Sequence, residues 1–599
     1  VTEALSLDGS ETGRSLMKPL ALSLAVSSLI AVSAPRAAAQ QDVGPDGVLI
    51  VVSDASAISQ AIGTYYATVR GIASDHILHL PVKTPLTEEI TRGQYNFRIR
   101  DKLVTFFTVD RPDLKDVIKY IVLTKDIPLK IADPGGTGPV AEAASVDSEL
   151  TQLFTNNVPD GGQAGKVINP FFHTYHSPAN WSNANLSYMV FRLDGYQTNV
   201  DITTGVPADI LALIDNSLAP ATSGGVLLDA TAATGMGNDW MVTANDILIK
   251  MNFPVTLDTT GTMQSGFTNL LGYCSWGSND PANAGVPYYG EIPAGSGVFW
   301  PGLFVNGAVT SDYVSTSART YIDGNQNYGQ SLEADLIRMG VTGTNGHVYE
   351  PYLDAVAFPQ FLFPHYLQGV QAGLAYYHAL PFLSWMNVVV CDPLMKSGVT
   401  APMPPQFTDV TPTRIPSGSS AVHLTIHGDF FTTTEDTTVS LGGIACTNVY
   451  VPNEIGCGCD TGTVPPGLLD LQMTSFMGTG VWPKAVVSYP ALDLTGDIQL
   501  GGNVTISAYG NVGDTDLTFL SLGTATIPLP PYGVLGLDLT NHFMLLFSAT
   551  LPAEQYDIPG TLPSDPIYSG FSFYLQSLIG PDLATKNMKF TNTVGVTIP

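Results

Sequence analysis

Leu270 to Asp280 reads Leu-Leu-Gly-Tyr-Cys-Ser-Trp-Gly-Ser-Asn-Asp, an apolar run that empties into a turn crowded with polar side chains. Strand ends of this kind are where α/β domains assemble sites. Cys274 could act there as a nucleophile, provided an imidazole reaches it and helps its thiolate form. His347, between Gly346 and Val348, could serve, as could His173 or His176. The competing reading makes Cys274 a small buried hydrophobe at a strand end and His347 a loop histidine.

Ser275, Asn279 and Asp280 in this turn, with Ser315, Ser317 and Arg319 in a later Ser-Thr-Ser-Ala-Arg-Thr segment, would leave the same edge of a parallel sheet. They form an expected ligand rim, to which Asp147 and Glu350 are added. Arg319 could hold a carboxylate or phosphate, or pair with Asp280. Asp147 and Glu149 open a predicted helix, where acids complement the N-terminal dipole whatever the function. Asp323, Asn325 and Asn327 offer oxygen ligands at alternating positions, as a calcium loop does. The sixth place is Tyr328 rather than glycine, however, and Glu333 falls one short of the twelfth. A plain Asx-rich turn is the alternative, so no cofactor is required and calcium is the metal to test.

The elements that must position these residues alternate from Gly47 to about Met395. Gly47 to Val52 is a continuous apolar run. Ile58, Ala61, Ile62, Tyr65, Tyr66 and Val69 follow at helical spacing, and Gly71 supplies a stop. Ile118–Leu123, Tyr188–Leu193, Val226–Leu228, Leu270–Cys274, Leu303–Val309 and Asn387–Val390 read as further strands. Pro207–Leu218 and Ser331–Met339 read as helices, with Pro207 in the first turn and Gly340 closing the second. Such alternation predicts a three-layer α/β domain over 45–398, with a mostly parallel sheet covered on both faces. A linker rich in proline follows at Ser397 to Pro405. Beyond it, short alternating runs between Gly, Asp and Thr clusters predict two all-β sandwich modules, 404–476 and 485–599, with a break near Gly478 to Pro490.

The 599 residues carry 52 Asp+Glu against 24 Lys+Arg, a net charge of -28. That excess repels nucleic acid and anionic lipid. Met17-Lys18, the apolar stretch Leu20 to Val32 and Ala37-Ala38-Ala39 have the layout of a secretory signal peptide, so residues 1–39 are read as an upstream extension and signal peptide. No later stretch offers about 20 uninterrupted apolar residues, so export without an integral membrane anchor is expected. Five cysteines are an odd number for a secreted chain. A Cys446–Cys457 disulfide is expected, because the segments on either side of Asn453 should pair as neighbouring strands. Cys459 would then stay free.

Ser417-Gly418-Ser419-Ser420, Leu424-Thr425-Ile426-His427-Gly428-Asp429-Phe430-Phe431 and Leu441-Gly442-Gly443-Ile444-Ala445-Cys446 resemble the immunoglobulin-like IPT/TIG domain. The resemblance implies a module that spaces or presents its neighbours and sometimes binds ligands, without catalytic chemistry. The α/β part resembles a bacterial secreted family of unknown function. That resemblance rests on Ser145-Val146-Asp147-Ser148-Glu149-Leu150, Ser275-Trp276-Gly277-Ser278-Asn279-Asp280, Ser315 to Thr320, Val348-Tyr349-Glu350-Pro351-Tyr352 and Ser384-Trp385-Met386-Asn387. More coarsely, the strand Leu303 to Val309 and the closing Asp392-Pro393-Leu394 are similar to the gingipain-like branch of caspase-fold peptidases. That fold carries a His after one strand and a Cys after the next. Here the two places read Tyr273-Cys274-Ser275-Trp276 and Asn306-Gly307-Ala308-Val309, with neither residue where the pattern requires it. Where the resembling family has an aromatic residue and a glycine, this chain has Cys274 and Cys391, which implies a second disulfide between them. The expected function is that of an exported cell-envelope or extracellular protein, ligand-binding or surface-assembly, with a non-catalytic caspase-like domain and a protein or glycan as its partner. A secreted cysteine hydrolase with a rearranged dyad is the alternative.

Overall fold

Strand β1 (Val48–Ser53) is buried along its whole length because it lies between two cores. Val48, Ile50 and Val52 enter one hydrophobic cluster and Leu49 and Val51 the other, as the period of two in a strand demands. Helix α1 (Ala57–Arg70) begins where Ser56 accepts a hydrogen bond from the Ser59 amide. It ends at Gly71, which takes a φ of 69° that a side chain would oppose. The computed structural model describes residues 42–599 apart from 82, 84, 85, 133–142, 156–165, 174–185, 284, 287, 325–328, 402, 433, 435, 436, 454 and 476. The expected signal peptide, His176, Asn325 and Asn327 lie outside the described residues.

Nine further strands join β1 in one sheet: β2 (Ile77–Leu80), β3 (Tyr120–Thr124), β4 (Met189–Leu193), β5 (Gly225–Asp229), β6 (Val255–Asp258), β7 (Phe267–Ser275), β8 (Gly302–Asp312), β9 (Gly343–His347) and β10 (Asn387–Cys391). Their order is β6-β5-β7-β8-β9-β10-β4-β3-β1-β2. The first five run parallel to one another, as do the last four, and β10 pairs antiparallel with β9. Lys125, just past β3, donates to the carbonyl of Tyr321, beyond β8, so the carboxyl ends of both parallel blocks open on one edge. The four segments expected to share a sheet do share it.

Helices cover both faces. Ile62 and Tyr66 of α1 pack into one cluster with Ile210 and Leu213 of α2 (Ala208–Leu218), Met241 and Leu248 of α3 (Met236–Lys250), and Leu362 of α4 (Pro359–Leu367). Pro207 is the N-cap of α2 rather than part of its first turn. The expected helix at Ser331–Met339 is shorter, Glu333–Arg338, and Gly340 follows at a φ of 99°. Strand β9 was not expected at all. Gly-Thr-Asn-Gly-His has no apolar signature, yet every residue is buried. Two of its polar side chains find partners inside the protein: Thr344 bonds Thr310 at 2.9 Å, and Asn345 bonds the Val388 carbonyl at 3.0 Å and the Ala357 amide at 3.2 Å.

The next module is a sandwich of a four-stranded sheet, 406–411, 423–429, 456–460 and 447–453, against a five-stranded one, 414–416, 478–489, 467–475, 438–441 and 444–445. Val410, Leu424, Ile426, Leu441, Leu471 and Val486 fill its core. Gly428 lies so close to the Gln406 carbonyl that any Cβ would overlap it. Gly442 and Gly443 turn the chain at φ 58° and 77°. The strand Gly478–Tyr489 runs through the segment read as a break, and pairs with Gly467–Ser475. The last module begins at Ala491–Gly496, packing a three-stranded sheet through Leu492, Ile506 and Ala508 onto Leu575 and Ile579 of a second sheet and onto Leu551, just past one of its strands. Among the described residues no helix is long and apolar enough to cross a membrane.

Candidate functional site

The carboxyl edge of the sheet carries a row of acids that follows from register. Asp258, Asp229, Ser275 and Asp312 occupy adjoining positions on β6, β5, β7 and β8. Asp229 and Asp312 are buried, and desolvation pushes each carboxyl up to about 7. At Asp229 the like charges of Asp258 and Asp280 add to the effect. A carboxyl tuned to neutrality suits proton transfer, but both are sealed in and accept from the protein's own donors, with Asp312 Oδ2 left buried and unpartnered. The Tyr273 hydroxyl donates to Asp229 at 3.4 Å, the Val314 amide donates to Asp312 at 3.3 Å, and Ser317 lies beside Asp312. Composition alone did not single out Asp229 or Asp312, although each is the last residue of its strand, Asp229 directly after Val226-Leu227-Leu228 and Asp312 after Thr310 and Ser311.

Asp147 holds Arg192 in a two-pronged ion pair, at 3.1 Å to Nε and 2.6 Å to Nη2. Arg192 is fully buried and also donates to the carbonyls of Ile127 and Pro128. Asp194 bridges Arg192 to Lys125, whose ammonium lies 3.0 Å from its carboxylate. Burial drives the Asp147 carboxyl upward, and Arg192 pulls it back. Glu333 accepts from the Tyr321 hydroxyl, and its second oxygen has no hydrogen-bond partner; burial among the neighbouring acids raises it well above the usual carboxylate range. Gly346 makes room for this group, since a Cβ there would stand 2.5 Å from Ser317 Oγ and 2.7 Å from Glu333 Oε2.

The expected rim residues are brought to this edge, and most face the protein. Ser275 accepts from the Gly277 amide at 2.8 Å, Asp280 from Ala282 at 2.8 Å, and Asn279 donates to the Tyr313 carbonyl at 2.9 Å. Ser278 and Ser331 exchange hydrogen bonds that clip the two polar segments together. Arg319 donates to the carbonyls of Thr316 and Gln330. Ser317 is buried, Ser315 half-buried and Glu350 exposed.

Cys274 and His347 do not form a dyad. Cys274 registers with Ser311 of β8, and β9 lies beyond β8, so two strand spacings, about 10 Å, separate the two backbones. The polar neighbours of the Cys274 thiol are the hydroxyls of Tyr313 and Ser311, and full burial raises its pKa far above the ordinary thiol value. His347 is a strand residue rather than a loop histidine. Nε2 bonds the Ala355 carbonyl at 3.2 Å, and burial lowers the imidazole to about 4, so it stays neutral.

Neither expected disulfide forms, and all five cysteines are free thiols. Cys274 and Cys391 end strands with β8 and β9 between them, too far apart to bridge. The two cysteines of Gly456–Asp460 point the same way, and it is Cys459, not Cys457, that meets Cys446 and lowers its pKa. Asp323 pairs with Arg338 at 3.0 Å, and no cluster of His, Cys, Asp and Glu among the described residues could hold a metal.

An open concavity lies elsewhere, where α3 and α4 meet the first sandwich. It encloses about 280 Å³, and Gln360 and Gln368 from α4 and its C-terminus, Lys250 from α3 and Asp429 and Phe430 from the sandwich contribute to its walls. Phe430 belongs to the α/β core cluster, which anchors the two domains to each other.

Residues 405–475 match the family description "IPT/TIG domain". The first sandwich is an IPT/TIG domain. None of the curated proteins matches the chain. Among solved structures the chain is similar to "SGBP-B from a complex xyloglucan utilization locus in Bacteroides uniformis", at 12% identity and a TM-score of 0.14, over 35% of this chain and 77% of that one. So low a TM-score carries no argument about fold or function.

Proposed function

We propose that this is an exported cell-envelope or extracellular binding protein, with a signal peptide at 1–39 and a caspase-like but non-catalytic α/β domain at 45–398. Its partner is a protein or glycan, and the IPT/TIG and C-terminal modules hold the binding domain away from the surface to which the protein is attached. The observation that carries the reading is the condition of the catalytic candidates. Cys274 is sealed, has hydroxyls rather than an imidazole beside it, and titrates far above neutrality. A thiol so protonated is a poor nucleophile. Asp229, Asp312 and Glu333 at the carboxyl edge are buried and each accepts from at least one of the protein's own donors, with Asp312 Oδ2 and Glu333 Oε2 sealed from solvent, whereas the domain junction is open to solutes. The net charge of -28 argues against nucleic acid as the partner. The test is incubation of the secreted protein with a peptide library and a thiol-reactive probe. No cleavage and no label on Cys274 are expected. Cleavage that disappears in Cys274→Ser would overturn the reading in favour of a cysteine hydrolase.

A further inference from the structure

The junction between the α/β and IPT/TIG domains has the make-up of a ligand site rather than of a packing defect. We propose that it binds a neutral saccharide unit, an inference that rests on the binding-protein reading above.

Its floor is amide. Gln360 is 8% exposed, and its side-chain oxygen has no hydrogen-bond partner. Gln368, half-buried, has both its amide oxygen and its amide nitrogen inaccessible and unpartnered. Buried polar groups are normally satisfied, and a group left without a partner needs an explanation. Both residues line the concavity, but their unpartnered atoms are closed to it in the empty site, so a ligand engages these two acceptors and one donor by drawing the two side chains outward. A carboxamide presents a donor and an acceptor side by side, which matches the adjacent hydroxyls of a sugar, each of which both gives and takes a hydrogen bond.

The walls fit the same ligand. His173 lies stacked on Phe361 with ring centres 4.3 Å apart, and both rings line the space, providing apolar surface for the C–H face of a sugar. Charge sits at the mouth, not the floor. Lys250 and Asp429 pair at 3.2 Å across the domain boundary, and Asp246 is exposed beside them. One cation against two carboxylates at the rim, on a chain of net charge -28, disfavours uronate or sulfated sugars. The volume of about 280 Å³ lies at the small end of ligand sites, so the pocket takes one unit of a chain rather than an extended stretch. Since the walls come from both domains, occupancy would also stiffen their junction.

The test uses the secreted chain and calorimetric titration with short cello-, xylo-, manno- and malto-oligosaccharides, with oligogalacturonate as the anionic comparison. At least one neutral series is expected to bind, and oligogalacturonate is not. Gln368→Ala removes the paired donor and acceptor and should weaken Kd about tenfold or more. Thr243→Trp, at an exposed lining position of α3, should block the mouth without touching the floor, which covers the case in which the glutamine variant folds poorly. Failure of every neutral series to bind the wild type overturns the proposal. So does binding that both variants leave unchanged, although that result would keep the protein a binding protein with its site elsewhere. Peptide hydrolysis dependent on Cys274 would instead remove the reading beneath it.

Discussion

Asp147→Ala separates a structural acid from a ligand-binding one. The substitution leaves Arg192 fully buried, with its main-chain acceptors and Asp194 but without the carboxylate that held two of its nitrogens. Breaking one side of a buried pair costs about 3–5 kcal/mol, because the remaining charge is uncompensated in a medium that solvates it poorly. For an α/β domain of about 350 residues, an unfolding entropy of roughly 2.1 cal/mol/K per residue gives about 0.7 kcal/mol/K, so its melting temperature should fall by about 4–7 °C. Replacing both partners, Asp147→Leu with Arg192→Met, removes the stranded charge and should recover most of that loss. Scanning calorimetry on the secreted chain reads both variants. An Asp147→Ala protein that melts with the wild type while its ligand binding changes would refute the reasoning, and would return Asp147 to the rim.

The raised carboxyls make stability depend on pH. Asp229, Asp312 and Glu149 titrate at about 7 in the folded state, driven up first by burial, against a value near 4 when unfolded, so the folded state holds the extra protons. Their contribution is complete below the unfolded value and is lost as pH rises through 7. The α/β domain should therefore melt higher at pH 6.5 than at pH 8.5. Below 6.5 His347, lowered to about 4, opposes further gain, because the unfolded chain then takes up its proton first. A melting temperature that climbs between pH 6.5 and 8.5 would contradict this assignment. Gly346→Ala, with its methyl forced against Ser317 and Glu333, should cost about 1–3 kcal/mol and show in a urea midpoint at unchanged slope. Alkylation of the native protein should modify Cys446 before the other cysteines and leave Cys274 and Cys391 intact until unfolding, as peptide mass mapping would show. Mild oxidation should link Cys446 to Cys459, and a Cys446–Cys457 product in the folded protein would contradict the observed strand geometry.

Much of the architecture was legible because it obeys short-range rules. The run Val48 to Val52 could be read as a strand buried on both faces, and Ser56 with Gly71 bounds α1 by capping chemistry that depends on local backbone alone. Gly428 in its strand and the Gly442-Gly443 turn announced the IPT/TIG sandwich for the same reason: a Cβ clash at the first and positive φ at the second restrict those places to glycine. The site was legible only as a set of residue types. Ser275, Asp280 and Arg319 were placed at the correct edge of the sheet, but whether they face solvent or each other depends on partners far along the chain. Strand β9, with no apolar residue, is held by neighbours supplied by β8, β10 and Glu333, so its burial is a property of the assembled sheet. Cys446 meets Cys459 rather than Cys457 because a strand sends alternate side chains to one face and register then selects the nearer of the two. The junction lined by Gln360, Gln368, Lys250 and Asp429 had no sequence signal at all. Those residues are remote in the chain and individually ordinary, and only the docking of one domain on another turns four surface side chains into the walls of a pocket.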